Sequence, residues 1–295
     1  MATVIVVTNF SGSSRNALNY ACSFLGQSGV NILLLHIFSF PAALTSDAIS
    51  VAAMSETIAD DERLLEKEYE WVKENYPGLN IERDMVTGNF MEALRSIADN
   101  NEVALIVMGA GGKYNDLLSW NTNIIDAFVD LKTPVLVIPS RVKYQPVKKI
   151  AFACNYYRKD LQTPVSLIKR LVQFTGSKLY VIHVVNPSEI VNEEAKNNKH
   201  LVQQSLDEVN PVYYEPAFND IISAIDNFTA AENIDMLIVI PARHGIWYNI
   251  FSGHHTKGLV HLNQVPLCLY TGKTPLFNNA KIACGIADEF KYPPL

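Results

Sequence analysis

The sequence predicts an α/β protein made of two tandem units, each an open parallel five-stranded sheet with helices on both faces. Two observations carry this reading. Short apolar runs alternate with longer amphipathic stretches along the chain, and the runs are continuously apolar, as in strands buried on both faces. The pattern also occurs twice. "VIVVTNFS" (4–11) resembles "IAFACNYY" (150–157), and "VNILLLHIF" (30–38) resembles "SKLYVIHVV" (177–185), with His36 and His183 in register. "EVALIVMGAGG" (102–112) resembles "NIDMLIVIPARHG" (233–245), and "TPVLVIPS" (133–140) resembles "VPLCLYTG" (265–272). Matches in one order at nearly constant spacing mark an internal repeat, and 295 residues suit two ordinary domains.

The elements follow in order. A strand at 3–8 leads into the polar "SGSS", which opens a helix with Ala17, Leu18, Ala21 and Leu25 on one face. Ser13 or Ser14 is expected to cap its free amides. A second strand runs at 30–36. The segment 55–76 has helical spacing, an acidic start suited to the helix dipole, and apolar Leu64, Leu65, Tyr69 and Val72. Asp60 and Asp61 are placed on its solvated start. Strands at 81–86, 104–108 and 134–138 complete the first unit. The second repeats the pattern at 149–154, 178–184, 212–214, 235–240 and 266–270. The polar stretch 140–149 joins them. The expected division is 1–142, 146–272 and an irregular tail, 273–295, with right-handed crossovers.

Composition narrows the function. A hydrophobic share of 48% and a charged share of 18% support a sizeable core. The net charge of -6 and the lack of a Lys/Arg run speak against nucleic acid or an anionic membrane as partner. Cys22, Cys154, Cys268 and Cys284 lie far apart with no C-x-x-C pair, as in a reducing compartment. No basic leader follows Met1 and no apolar run reaches the length of a membrane span. A cytoplasmic protein is expected.

In open parallel sheets the ligand crevice lies outside the carboxyl ends of the strands, where strand order reverses. Gly109, Gly111 and Gly112 follow the fourth strand of the first unit, and glycine lets backbone amides approach a phosphate. A plain tight turn is the alternative. No G-x-S-x-G elbow is present, and Cys154 and Cys268 are placed inside strands, so a binding protein is favoured over an enzyme. His36 and His183 at strand ends read as hydrogen-bonded structural residues. Four of the seven histidines fall between His244 and His261. Neighbouring His254 and His255 would diverge on a helix, and no carboxylate or cysteine sits at ligand spacing, so no metal is expected.

Repeat, strand order and loop together resemble the universal stress protein family over residues 3–270, in a tandem two-domain form. The resemblance implies a Rossmann-like, adenine nucleotide alpha hydrolase-like fold. ATP-binding members carry an aspartate after the first strand and G-x-x-G-(nine residues)-G-[S/T] after the fourth. Here Gly109 and Gly112 match the first glycines, Thr122 and Asn123 stand at the final pair, and Asn9 stands for the aspartate. Val86 and Gly88 match a pair typical before the third helix. The resemblance thus implies ATP or a related adenine nucleotide, with Thr8 and Asn9 toward the nucleoside, Gly109, Gly111, Gly112 and Asn123 toward phosphate, and Val86, Gly88 and Thr122 as further residues of the site. Asn9 keeps an acceptor but loses the charge, and Thr122 adds a Cβ where close approach is needed.

In the second unit Pro241 and His244 are aligned with the first glycines, His254 and His255 with the final pair, and Asn155 with the aspartate. Arg243, His244, His254, His255 and Lys257 instead make a set suited to a small anion. The resemblance also implies an intramolecular pseudo-dimer through the last strands, 135–138 and 267–270. Two functional readings stand: a stress-response nucleotide binder, or a structural or signalling protein acting through protein partners.

Overall fold

The computed structural model describes residues 2–26, 28–39, 51–100, 103–110, 131–158, 161–185, 192–218, 220–240 and 264–270, without the side chains of 51–53, 100 and 163. In chain order the elements are β1 (Thr3–Thr8), α1 (Gly12–Leu25), β2 (Asn31–Phe38), α2 (Val51–Asn75), β3 (Asn80–Thr87), α3 (Phe90–Asn100), β4 (Val103–Ala110) and β5 (Val135–Pro139). Then come β6 (Lys149–Ala153), α4 (Gln162–Thr175), β7 (Lys178–Ile182), α5 (Glu193–Leu206), a 3-10 turn (Asp207–Val209), β8 (Val212–Tyr214), α6 (Ile221–Glu232), β9 (Met236–Val239) and β10 (Leu267–Leu269). The tail 273–295 lies outside the described residues.

The strands form one sheet in the order β3-β2-β1-β4-β5-β10-β9-β6-β7-β8. Each half is parallel within itself, and the halves meet where β5 and β10 run antiparallel, pairing Val135 with Leu269, Leu136 with Cys268 and Val137 with Leu267. The two expected sheets are therefore joined edge to edge into one mixed sheet. The physical reason is that both last strands are apolar, and pairing them removes two edges that would otherwise invite aggregation. One apolar core lies under α1, α2, α4 and α5 and a second, on the opposite face, under α3 and α6.

The linker after β5 crosses α1. Asn16 Nδ2 donates to the carbonyls of Pro139 (3.2 Å) and Val142 (2.8 Å), and Lys143 Nζ donates to Asn16 Oδ1 (3.2 Å). Tyr144 packs edge-on against Tyr20 at 5.3 Å and Phe24 at 6.5 Å. Phe24 in turn meets Phe174 of α4 at 5.8 Å, which ties the helices of the two halves together.

Three local expectations are corrected. Ser11, not Ser13 or Ser14, caps α1: its backbone is extended and its hydroxyl accepts from the Ser14 amide at 3.2 Å, while the other two serines are already inside the helix. α2 begins at Val51, so its acidic stretch lies well inside the helix. Its buried side is Leu65, Glu68 and Val72, whereas Leu64 is exposed.

The halves differ most in how close the first helix comes to the sheet. A Cβ on Gly109 would lie 2.3 Å from the Ser13 carbonyl oxygen and 2.7 Å from the Ser14 nitrogen, so only glycine permits this approach. Ala17 and Ala21 keep the rest of that face small and are fully buried. β1 aligns Val4 with Leu105, and β6 aligns Ile150 with Met236. Continuing each register puts Ile240, one residue before Pro241, in the place of Gly109. This corrects the sequence alignment. The C-capping glycines Gly26 and Gly176 put the helices in register, so Leu167 and Leu171 stand where Ala17 and Ala21 do. Accordingly α1 lies along β4 and β5, while α4 packs chiefly on α5. Gly109→Ala is expected to destabilise the protein by roughly 1–3 kcal/mol, the usual cost of overpacking, measured by urea denaturation.

Candidate functional site

Strand order reverses beside β1, whose neighbours are β2 and β4. The crevice expected at such a point lies at the carboxyl ends of β1 and β4, which are Thr8 and Ala110. The first turn of α1 closes onto the same place through its contact with Gly109.

Thr8 is buried, and its hydroxyl lies 2.7 Å from Glu68 Oε2 and 3.2 Å from Ser14 Oγ. The Phe10 amide donates to it at 3.0 Å. Asn9 is exposed, and its Oδ1 accepts from the Ser11 amide at 3.3 Å. Asn155 does the same in the second half, accepting from the Tyr157 amide at 3.0 Å. In both halves, then, asparagine makes a turn in which the side chain stands in for a backbone acceptor. Phe10 has a φ of 63°, a left-handed conformation costing roughly 1–3 kcal/mol in a non-glycine residue. Its ring packs on His36 at 4.4 Å, as Tyr156 packs on His183 at 4.4 Å.

Each histidine ties a second strand to the end of a first strand. His36 Nδ1 donates to the Thr8 carbonyl (2.9 Å) and His183 Nδ1 to the Cys154 carbonyl (3.0 Å), the structural role expected of them. His36 Nε2 also faces Asp61 Oδ2 at 3.2 Å. Asp61 therefore does not sit on a solvated helix start as expected; only Asp60 is exposed, paired with Arg63. The longer α2 turns Asp61, Leu65, Glu68 and Val72 toward the sheet.

Glu68 is the residue sequence reasoning missed. It is 3% exposed. Burial pushes its carboxyl above the ordinary range, opposed in part by the Thr8 hydroxyl and by the nearby Arg15 and His36. The signal was present in the spacing of positions 61, 65, 68 and 72, but two of those positions carry acids. Among the other titratable groups, burial lifts the thiols of Cys22 and Cys268 to about 12 and that of Cys154 upward as well, so none is a ready nucleophile. Cys154 lies just beyond β6 rather than within a strand.

The expected site residues are only partly brought together. Thr8, Asn9 and Gly109 gather at the crevice. Val86 and Gly88 lie at the end of β3, two strands from β1 and hence roughly 10 Å away. Gly88 has a φ of 143° and donates its amide to the Phe38 carbonyl at 3.0 Å, which extends the β2–β3 ladder by one bond before the chain turns into α3. Gly111, Gly112, Thr122 and Asn123, with Arg243, His244, His254, His255 and Lys257, lie outside the described residues. In the second half, Asn198 Nδ2 donates to the carbonyls of Tyr156 (2.8 Å) and Arg158 (2.9 Å), fastening the chain after β6 to α5. Among the described residues, no group of three or more acidic, histidine or cysteine side chains could hold a metal ion, and no helix is long and apolar enough to cross a membrane.

Residues 1–139 match the profile of the universal stress protein family. Among solved structures, a universal stress protein from Archaeoglobus fulgidus DSM 4304 shares the fold at 16% identity, covering 91% of this chain and 95% of its own, with a TM-score of 0.65. A protein of unknown function from Pseudomonas aeruginosa PAO1 matches at 10% identity over 98% of each chain, with a TM-score of 0.53. A universal stress protein solved in complex with cAMP matches at 21% identity over 47% of this chain and 97% of its own, with a TM-score of 0.34. No curated protein matches in sequence. Over residues 1–139 the chain is thus similar in sequence to the universal stress protein family, and over nearly its whole length it shares the fold of a member.

Glu68 makes stability depend on pH. An acid whose folded pKa is raised costs nothing below its ordinary value near 4.5. The cost builds as pH rises through the folded pKa and is constant above it. Glu68→Gln keeps the hydrogen-bond acceptor and removes the charge. The Tm of this variant, relative to the unchanged protein, is expected to rise from pH ~4.5 to pH ~7.5, read by thermal melts across that range.

Proposed function

We propose that this chain is a tandem universal stress protein of the stress response that binds ATP or a related adenine nucleotide in its first half. The supporting observation is the contact of the first turn of α1 with the carboxyl end of β4 at Gly109, where the run Gly109, Gly111, Gly112 begins. That contact sets the helix amides, and the positive end of the helix dipole, beside the loop. In this reading Thr8 and Asn9 border the nucleoside, Gly109, Gly111, Gly112, Thr122 and Asn123 border phosphate, and no metal ligand comes from the protein. Val86 and Gly88 contribute through the shape of the outer wall. The division 1–142, 146–272 and 273–295 gives two domains and a tail. The β5–β10 seam makes the chain its own pseudo-dimer, needing no second copy.

The second half is proposed to hold a small anion, such as phosphate, through Arg243, His244, His254, His255 and Lys257. Side-chain cations need no close backbone approach, so Ile240 and Pro241 are compatible with such a site.

One observation favours the other reading, a protein acting through protein partners without nucleotide. The Thr8 hydroxyl is already bonded to Glu68, and the Asn9 oxygen to its own turn. Calorimetry separates the two. ATP is expected to bind the unchanged chain, Gly112→Val to weaken binding by roughly tenfold or more through loss of close approach, and His244→Ala to leave it unchanged. In the same His244→Ala protein, the phosphate-dependent shifts of histidine ring protons at pH ~6 should shrink. No binding of ATP to the unchanged chain would favour the partner reading.

A further inference from the structure

We propose that Glu68 is held as a neutral acid, that its proton completes a relay of hydroxyls from α2 through the end of β1 to the first turn of α1, and that losing this proton loosens that turn. A count of protons carries this. Glu68 Oε2 lies 2.7 Å from the Thr8 hydroxyl, which lies 3.2 Å from Ser14 Oγ. Ser14 Oγ is 3.0 Å from the Ser11 carbonyl and 3.3 Å from Ser11 Oγ, which is 2.9 Å from Ser13 Oγ. These are five oxygen–oxygen contacts, and Thr8, Ser11, Ser13 and Ser14 bring four hydroxyl protons to them. However the four are shared out, one contact is left with lone pairs facing each other. A fifth proton, on Glu68, removes the deficit.

With that proton every group is used. Glu68 donates to Thr8, Thr8 to Ser14, and Ser14 to the Ser11 carbonyl. Ser13 donates to Ser11 Oγ, and Ser11 Oγ to Ser14. The remaining lone pairs of Thr8 and Ser11 take the amides of Phe10 (3.0 Å) and Ser14 (3.2 Å). An ionised Glu68 takes the Thr8 proton instead, being the stronger acceptor. Thr8 and Ser14 then face each other with no proton between them, and the hydroxyl bond from β1 to α1 is lost.

The surroundings favour the neutral form. Glu68 is buried, which pushes its carboxyl above the ordinary range. The charged groups that face it are Arg15 of α1 and His36 of β2. Neither forms an ion pair with it among the described residues: His36 is turned to Asp61 of α2 at 3.2 Å, and Arg15 lies over the Trp71 ring at 5.2 Å. The second half does without the acid. There Cys154 holds His183 as Thr8 holds His36, and the neutral amide of Asn198 fastens the chain after β6 to α5. Closing the fold at this place needs no ionisable group, which marks Glu68 as a switch. The switch operates without a ligand.

NMR of the full chain carrying isotope-labelled glutamate carboxyls tests the acid, with Glu68→Gln identifying the signal. The Glu68 carboxyl is expected to titrate above its ordinary value near 4.5. Hydrogen exchange from pH ~4 to pH ~9, the span over which buried glutamates ionise, tests the relay. After correction for the intrinsic rise with pH, the Phe10, Ser14 and Arg15 amides should exchange about tenfold faster above the Glu68 midpoint, the factor for one net hydrogen bond. The step should vanish in Glu68→Gln, whose amide donates to Thr8 at every pH, and in Thr8→Val, which should exchange fast throughout. A Glu68 midpoint at or below the ordinary value would overturn the proposal. So would exchange without a step in the unchanged chain, or a step that persists in Thr8→Val, which would mean that the charge acts directly and not through the hydroxyls.

Discussion

The contact between Gly109 and the first turn of α1 governs the first half of this protein. It allows the helix to lie against β4 and β5 with its Ala17 and Ala21 face, and it brings the first turn of the helix against Gly109. From this position α1 adds one contact to those that α2 and β2 make with the end of β1. The Ser14 hydroxyl reaches Thr8, the Thr8 hydroxyl meets Glu68, and the Thr8 carbonyl holds His36. In the second half, Ile240, Leu167 and Leu171 occupy the same positions with larger side chains, and the helix packs on α5 instead. The two halves keep one strand order but seat their first helices differently.

The second constraint is the seam. β5 and β10 are both apolar strands that would each be an open edge alone, and the antiparallel pair turns two edges into the centre of one sheet. The outer edges are treated differently. β3 carries Glu82, Arg83 and Asp84 and is largely exposed, while β8 is three residues long. Charge protects one edge and shortness the other. Above the seam, Tyr20, Phe24, Tyr144 and Phe174 join linker and helices into a second contact between the halves.

The central strands were legible in the sequence because parallel strands buried on both faces are written as unbroken apolar runs. The repeat then supplied the order. Register was not legible. The string "LIV" occurs in both fourth strands, at 105–107 and 237–239, yet the sheet offsets them by one residue. A strand apolar on both faces has no alternation to pin it, and so Pro241 was aligned where Ile240 stands. Glu68 and Asp61 were hidden for a different reason. Hydrophobic periodicity cannot register a core-facing acid whose partner, Thr8 or His36, lies far away in sequence. The glycine run was legible as chemistry, but Gly109 is required by helix packing. Only the structure separates that role from contact with phosphate.

The central claim is that one crevice, not two, accepts an adenine nucleotide. The most direct measurement is the mass of the intact chain under native conditions, titrated with ATP. One nucleotide bound per chain is the predicted result. Two per chain would contradict the asymmetry drawn from Gly109 and Ile240, and none at saturating ATP would contradict nucleotide binding itself.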